Sequence, residues 1–189
     1  MAIITHRYHL ETRPIDLLDA IPEHGWMLLR IMSKDERRAL NALKKCDDCS
    51  YLMLWVTSTR HYSRSRKRQH TRSFLPGHVF VQSSNRNRDQ LFELLRPVLN
   101  LTPIPDGHEF VEELRNFCRL FVAAGDELNQ RPGYAHGDPV EVISGAMAGC
   151  RGRVIRHRGG WELVVGLSVL GTIVTTRIDL ASVRPLESA

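Results

Sequence analysis

The sequence predicts an α+β protein, in which an N-terminal α/β sandwich of antiparallel sheet and helices is joined by a linker to a small five-stranded β-barrel. Helical and strand periodicities alternate as far as Val122, periodicity is lost over residues 123–136, and short glycine-punctuated strand patterns follow. We therefore expect four segments. They are an N-terminal extension (1–24), a first domain (25–122), a linker (123–136) and a second domain (137–189).

The first domain starts with an apolar strand pattern over residues 26–32. Ser33 and Glu36 then have the spacing of a capping box, which predicts the start of a helix. Further patterns predict, in chain order, a strand over 51–57, a strand over 78–82, a helix over 89–96 and an extended segment over 98–104.

The last helix of this domain is predicted to open at Asp106. Its aromatic and aliphatic residues recur at helical spacing, which places them in the core: Phe110, Leu114, Phe117 and Phe121.

Composition excludes collagen-like and wholly disordered chains, since 42% of the residues are hydrophobic and 25% are charged. The net charge is +5, and its distribution is uneven. Residues 25–122 hold 17 basic and 10 acidic side chains, for +7, whereas residues 1–24 carry −2 and residues 123–189 are neutral. This asymmetry predicts that the first domain meets a polyanion.

Residues 60–72 contain six Arg or Lys, two His and no aliphatic residue, so we expect a solvated loop or hairpin tip. Such a run is suited to contacting nucleic-acid phosphates. The first candidates are Arg64, Arg66, Lys67 and Arg68, and the second group, on the neighbouring helix, is Lys34, Arg37 and Arg38.

Cys46 and Cys49 form a lone CxxC that closes a helix, without the second pair that structural zinc requires. We expect reduced thiols and neither a metal nor another cofactor. The sequence also lacks a phosphate-binding loop and a nucleophile elbow, so we expect no enzymatic activity. It shows neither a membrane-span-length apolar run nor a secretory signal, which favours a cytoplasmic protein.

The second domain begins with a glycine-punctuated pattern of two strands, whose residues are Gly137, Asp138, Val140, Val142, Gly145, Gly149, Gly152 and Val154. This pattern resembles the KOW motif, in which a strand enters a glycine turn and returns as the next strand. The resemblance implies an SH3-like five-stranded β-barrel.

The first domain combines Trp26 in its first strand, the capped helix, the basic hairpin and the run Phe74-Leu75-Pro76-Gly77-His78 before an alternating strand. In this combination it resembles the N-terminal domain of NusG proteins. With the KOW motif the resemblance spans residues 26–186. Family members usually have Tyr where this chain has His78.

The resemblance implies that the first domain binds the clamp helices of the RNA polymerase largest subunit through an exposed apolar depression. The matching positions are Trp26, Met32, Phe74, Leu75, Pro76 and His78. The basic hairpin would then face upstream or non-template DNA.

The implied protein is a monomeric, non-enzymatic elongation factor that regulates elongation, pausing and termination or antitermination. Its KOW domain would bind Rho factor or a small-subunit ribosomal protein. The first alternative is a ribosome-associated KOW-domain RNA-binding protein. A second is a metal-dependent enzyme built around Cys46 and Cys49.

Overall fold

The computed structural model describes residues 3–22, 24–62, 66–83, 88–95, 98–105, 107–132, 137–157 and 159–186. The chain forms two compact units, Met1–His108 and Glu109–Ala189. The described residues contain two antiparallel sheets and three α-helices. The predicted α+β class is confirmed at this level.

The first unit is a six-stranded sheet with two helices. Its elements are β1 (Ile3–Arg13), β2 (Trp26–Arg30), α1 (Glu36–Leu43), β3 (Ser50–His61), β4 (Lys67–Ser73), β5 (His78–Gln82), α2 (Arg88–Leu94) and β6 (Asn100–Pro103). The strands lie in the order β1-β3-β5-β2-β6, and β4 pairs with the outer half of β3. The strands and helices predicted from periodicity between residues 26 and 104 are all present, and the basic run supplies β4.

The N-terminal extension is part of this sheet. All of β1 pairs with β3, from Ile3 opposite His61 to Arg13 opposite Tyr51. Sequence patterning missed this strand because polar and charged residues occur on both of its faces. The β-branched and aromatic content of β1, from Ile3 to Thr12, is the signal that indicates a strand.

One face of the first sheet packs against α1 and α2. The members of this core include Leu29 and Val79 from the central strands, Leu40 and Leu43 from α1, and Leu91 from α2. Each of these side chains is at least 94% buried. The apolar positions of α1 therefore fix which face of the helix is left for polar residues.

The predicted capping box at Ser33 and Glu36 is wrong. Residues 33–35 form a short 3-10 turn, and neither Met32, which caps that turn, nor Asp35, which caps α1, makes a side-chain capping bond. Glu36 is buried, and its Oε1 accepts a hydrogen bond from the Gly77 amide at 2.6 Å. The Glu36 carboxylate therefore accepts from the distant Gly77 amide and not from the Ser33 amide that a capping box would supply.

The second unit contains a helix and a second six-stranded sheet. Its elements are α3 (His108–Ala124, whose first residue belongs to the first unit), β7 (Asn129–Pro132), β8 (Asp138–Val142), β9 (Arg151–His157), β10 (Gly160–Leu167), β11 (Thr172–Ile178) and β12 (Val183–Pro185). The strand order is β12-β8-β9-β10-β11-β7. No pairing between β7 and β12 closes this sheet within the described residues, so the predicted closed five-stranded barrel is not observed.

The additional strand comes from the segment expected to be a linker. Residues Asn129–Pro132 pair with Thr172–Thr175 of β11. A four-residue strand that lies at the sheet edge needs little apolar patterning, so the sequence there resembles a loop.

The boundary between the compact units also differs from the expected one, since it falls at the first turn of α3. In the second unit, the Asn116 Oδ1 accepts from the Arg151 amide at 2.9 Å, and the Glu113 Oε2 accepts from the Ser168 amide at 2.8 Å. Phe110, Leu114, Phe117 and Phe121 are buried as predicted. Periodicity identifies such a helix but does not identify the sheet that it joins.

The glycine hairpin of the second unit is present. Val142 and Cys150 close it, since the Val142 amide donates to the Cys150 carbonyl at 2.9 Å. Gly152, in β9, lies so close to β10 that a Cβ at this position would be 2.6 Å from the Val164 carbonyl oxygen. A side chain there would force the strands apart.

Among the helices described, none has both the length and the apolar character needed to cross a bilayer.

Candidate nucleic-acid interface

The basic run lies within a ribbon of three strands, which we call the basic ribbon: β1, the outer half of β3 (Thr57–His61) and β4. The Tyr62 amide donates to the Arg66 carbonyl at 2.8 Å where β3 turns into β4. The predicted hairpin is therefore observed, although most of the run is strand rather than loop. Directly opposed residues of antiparallel strands share a face, so the register assigns each cation to one side.

One side of the basic ribbon carries arginine and histidine with no acidic residue among the described positions. Arg60 lies opposite Arg68, and Ser58 lies between His6 and His70. The His6 Nδ1 and Ser58 Oγ are 2.8 Å apart. Arg72 continues this side toward the core. Clustered exposed cations of this kind attract a phosphate backbone.

The other side of the basic ribbon lies toward α1 and is more mixed. Lys67, Gln69 and Thr71 follow one another on β4, and Arg7 lies opposite Thr57. The Thr57 and Thr71 hydroxyl oxygens are 2.9 Å apart. This side therefore offers hydrogen-bonding groups between its cations.

The predicted phosphate-binding residues are divided between these sides. Arg68 lies on the arginine side, Lys67 on the α1 side, and Arg66 at the turn, all exposed. Arg64 lies outside the described residues. Arg60 and Arg72 belong to the same run but were not selected from the sequence, because pairing partners are needed to see that they join Arg68.

The second predicted group is also on the surface. Lys34, Arg37 and Arg38 are exposed, and none of them has an ion-pair partner in the part of the chain that the structure describes. Ala39 and Leu40 are buried, so α1 presents Arg37 and Arg38 on its outer face, and Lys34 lies in the 3-10 turn before this helix.

A pocket lies between β1, β3, β4 and α1. It has a volume of about 280 Å³ and is lined by His9, Glu11, Arg37, Leu40, Asn41, Trp55 and Thr71. We call it the β1–α1 pocket. Arg37 from one predicted basic group and Thr71 from the basic ribbon both contribute to its wall. Sequence reasoning missed His9 and Trp55, since their cross-strand pairing depends on β1.

The predicted polymerase-binding residues do not form the expected exposed patch. Trp26, Phe74 and Leu75 are only 2%, 7% and 3% exposed. The Trp26 Nε1 donates to the Pro22 carbonyl at 2.6 Å. These three side chains lie in the interior, because an apolar residue in a strand or turn packs inward wherever the fold provides space.

The remaining members of that set reach the surface. Met32 is 50% exposed, Pro76 is exposed and His78 is half-buried. Burial lowers the pKa of His78, and the nearby Pro76 carbonyl, 2.9 Å from Nδ1, acts in the opposite direction. His78 therefore favours the neutral ring at physiological pH.

Cys46 and Cys49 form a disulfide, with their Cα atoms 5.5 Å apart, so the expectation of reduced thiols is wrong for this pair. The turn after α1 brings the two residues within the normal Cα separation for such a bond. Asp48 lies beside them, and the Cys46 Sγ is 3.1 Å from its Oδ1. The potential ligand atoms of Cys46, Asp48 and Cys49 lie within 4.8 Å of one another.

The KOW-type residues occupy the expected hairpin. Val140, Val142 and Val154 are buried, and Gly145 and Gly149 occupy the connecting turn. Gly137 and Asp138 precede and begin β8, and Asp138 is exposed.

The chain matches no protein-family model, and no curated protein is significantly similar to it.

Proposed function

We propose that the protein is a NusG-like transcription elongation factor that binds RNA polymerase and regulates elongation, pausing and termination or antitermination, without enzymatic activity. The basic ribbon carries this proposal, because it ends directly at the turn that resembles the NusG polymerase-binding motif. The Phe74 amide, at the start of that turn, donates to the Leu54 carbonyl at 2.8 Å. Nucleic-acid contact and polymerase contact would thus be made by adjacent parts of one sheet.

The second unit supports the same proposal. Strands β8 to β12 follow the order β12-β8-β9-β10-β11, with β8 and β9 joined by the glycine turn. This order is compatible with an SH3-like KOW domain to which β7 has been added. We propose that this unit binds Rho factor or a small-subunit ribosomal protein, and that the monomeric protein acts in the cytoplasm.

The polymerase contact is proposed at Met32, Pro76 and His78, which remain accessible. The Ile31 amide donates to the Gly77 carbonyl at 2.9 Å, so this bond joins the residue before Met32 to the residue after Pro76. The buried Phe74 and Leu75 directly precede Pro76 and would support this surface, whereas Trp26, opposite Gln82, lies four residues along β2 from the Arg30–His78 pair. A small apolar surface with a polar margin suits a protein interface.

The test uses the full chain and a reconstituted elongation complex containing RNA polymerase, template, non-template DNA and nascent RNA. We expect Met32→Ser to weaken binding about tenfold, equivalent to about 1.4 kcal/mol. The control is Ile15→Ser, because Ile15 is 94% exposed in the same unit and follows β1 at the end of the sheet away from Met32. Absence of binding by the wild-type chain would overturn the proposal, and co-sedimentation with ribosomes instead would support the ribosome-associated alternative.

The nucleic-acid contact has its own measurement. Replacing Arg60 and Arg68 by Gln should lower the slope of log affinity against log salt by about 1.4 for single-stranded DNA, since each lost phosphate contact removes roughly 0.7. The matched control replaces Arg156 and Arg177, two exposed arginines of the second sheet. Equal slopes for the two double variants would exclude the basic ribbon as the contact surface.

A further inference from the structure

The β1–α1 pocket contains buried polar atoms without partners. Trp55 is 4% exposed, and its Nε1 has no hydrogen-bond partner among the described residues. The Nδ1 of His9 is also buried and has no hydrogen-bond partner among the described residues. The two residues are direct cross-strand partners, and both line this pocket. An unpaired buried polar atom costs about 1–3 kcal/mol, so two of them beside one cavity indicate that a ligand supplies the missing hydrogen-bond partners.

The pocket is small but large enough to hold one flat ring. Its volume of about 280 Å³ lies just below the roughly 300–1,000 Å³ typical of pockets for drug-sized ligands. The Trp55 indole and Leu40 provide apolar surface, and Asn41 lies one helical turn from Arg37 on α1. An aromatic surface with a few polar groups at its edge is the usual environment of an extruded nucleic-acid base.

Electrostatics favours a ligand attached to an anionic backbone. Glu11 is the one acidic residue in the wall, and it forms an ion pair with Lys44. Arg37 has no ion-pair partner in the described ranges of the chain. The mouth of the pocket therefore retains uncompensated positive charge.

The pocket is continuous with the proposed nucleic-acid surface. Lys67, Gln69 and Thr71 occupy one side of β4, and Thr71 reaches the pocket wall. From Lys67 to Thr71 the strand rises about 14 Å, enough for roughly two nucleotides of an extended single strand. A strand whose phosphates contact Lys67 can thus place a base beside Trp55 and a following phosphate near Arg37.

We propose that the β1–α1 pocket receives one unpaired base of a single-stranded nucleic acid, with the Trp55 Nε1 and His9 Nδ1 hydrogen-bonded to its edge. This inference rests on the proposed nucleic-acid contact. It also depends on β1, which lies outside residues 26–186, the part of the chain on which the NusG resemblance rests. The N-terminal extension thereby acquires a function, as one wall of a base-binding site.

The first experiment measures binding of fluorescent 12-nucleotide DNA and RNA oligonucleotides to the full chain, each compared with oligonucleotides carrying a single abasic site. Loss of one base from the pocket should weaken binding about 5- to 150-fold, the range for one stacked base. Trp55→Phe should abolish this discrimination without changing the salt slope. The control is Trp161→Phe, the indole of the second sheet. Comparison of the DNA and RNA oligonucleotides shows whether the base that enters the pocket belongs to DNA or to RNA.

A second measurement does not depend on the basic ribbon. Uridine, with ribose 5-phosphate as the sugar-phosphate control, is titrated while the indole Nε1–H resonance of Trp55 is followed by NMR. We expect uridine to shift this resonance and ribose 5-phosphate to leave it unchanged. Asn41 is exposed, so Asn41→Ala leaves the core intact, and we expect this variant to show a smaller shift with uridine. Asn41→Ala also serves if Trp55→Phe does not fold.

The outcomes separate the two proposals. Oligonucleotide binding without abasic discrimination and without a uridine shift overturns the base pocket and leaves the nucleic-acid contact intact. A uridine shift without oligonucleotide binding supports the pocket and overturns the wider surface. Failure of both measurements overturns both proposals.

Discussion

Gly77 holds the turn before β5 in a conformation that only glycine tolerates there. Its φ is +75°, and a Cβ would lie 2.6 Å from the Ile31 carbonyl oxygen. We expect Gly77→Ala to lower the free energy of unfolding by about 2–4 kcal/mol, since backbone strain and a steric clash act together.

The control for this steric term is Gly145→Ala. Gly145 has a similar φ of +80°, but a Cβ there would meet no atom within 4 Å. We expect it to cost only about 1–2 kcal/mol, the conformational penalty alone. Equal losses for the two variants in urea unfolding would show that the Ile31 contact adds nothing.

Glu36 gives the fold a defined pH dependence. Burial raises its pKa, and the hydrogen bond from Gly77 acts in the opposite direction. Because the folded-state pKa lies above the unfolded value, this contribution to stability is complete below about pH 4.5 and is lost as pH rises through the raised pKa. Glu36→Gln should therefore become more stable relative to wild type between pH 4 and pH 8.

Urea unfolding across that range measures the difference, with the exposed Glu109→Gln as the control. Parallel pH profiles for wild type and Glu36→Gln would contradict the expectation.

The same carboxylate shows the limit of local sequence reasoning. Its spacing from Ser33 predicts a cap, but the Gly77 amide, 41 residues away, is the donor it meets.

At the scale of elements, two side chains of β1, Arg13 and Glu11, connect this strand to the end of α1. The Arg13 Nη1 donates to the Lys44 and Cys46 carbonyls at 3.0 and 3.1 Å, and its Nη2 lies 2.9 Å from the Asp47 Oδ1. The bond to Lys44 satisfies a carbonyl at the C-cap of α1, and the bond to Cys46 adds to the one that its carbonyl accepts from the Cys49 amide. Glu11 adds an ion pair with Lys44.

We expect Arg13→Ala to lower the free energy of unfolding by about 1–2 kcal/mol, because one third of the side chain is exposed and solvent replaces part of the loss. Hydrogen exchange should accelerate in β1 and at the end of α1. Arg7→Ala, on the same strand, is the control. Unchanged exchange in β1 would mean that the pairing with β3 alone holds the strand in place.

Most elements of the first unit follow from periodicity, since strands β2, β3 and β5 and helices α1 and α2 bury regular apolar faces. Position within the fold is harder to predict. Trp26, Phe74 and Leu75 have the composition of a binding surface, yet they are buried, because sequence does not distinguish an inward from an outward apolar side chain. The β1–α1 pocket needs three strands and a helix together, so no local pattern indicates it.

At the scale of the whole molecule, the four cysteines occur in two states, as one disulfide and as two free thiols. Cys46 and Cys49 are paired, whereas Cys118 and Cys150 are free and buried. Burial raises the pKa of both free thiols. We expect slow alkylation of the native protein, two reactive thiols after denaturation without reductant, and four after reduction, as counted by mass spectrometry.

Four reactive thiols without reductant would show that the CxxC is reduced. Elemental analysis of the same sample distinguishes a reduced pair that holds a metal from one that does not.

The long strand β3 also has a mechanical consequence. It is bonded to β1 along one edge and to β5 and then β4 along the other. Hydrogen bonds between antiparallel strands lie perpendicular to the strands, so tension applied to the ribbon along β3 loads many bonds at once. Tension applied along β3 would therefore strain the sheet in shear across many hydrogen bonds before it peeled away any one strand.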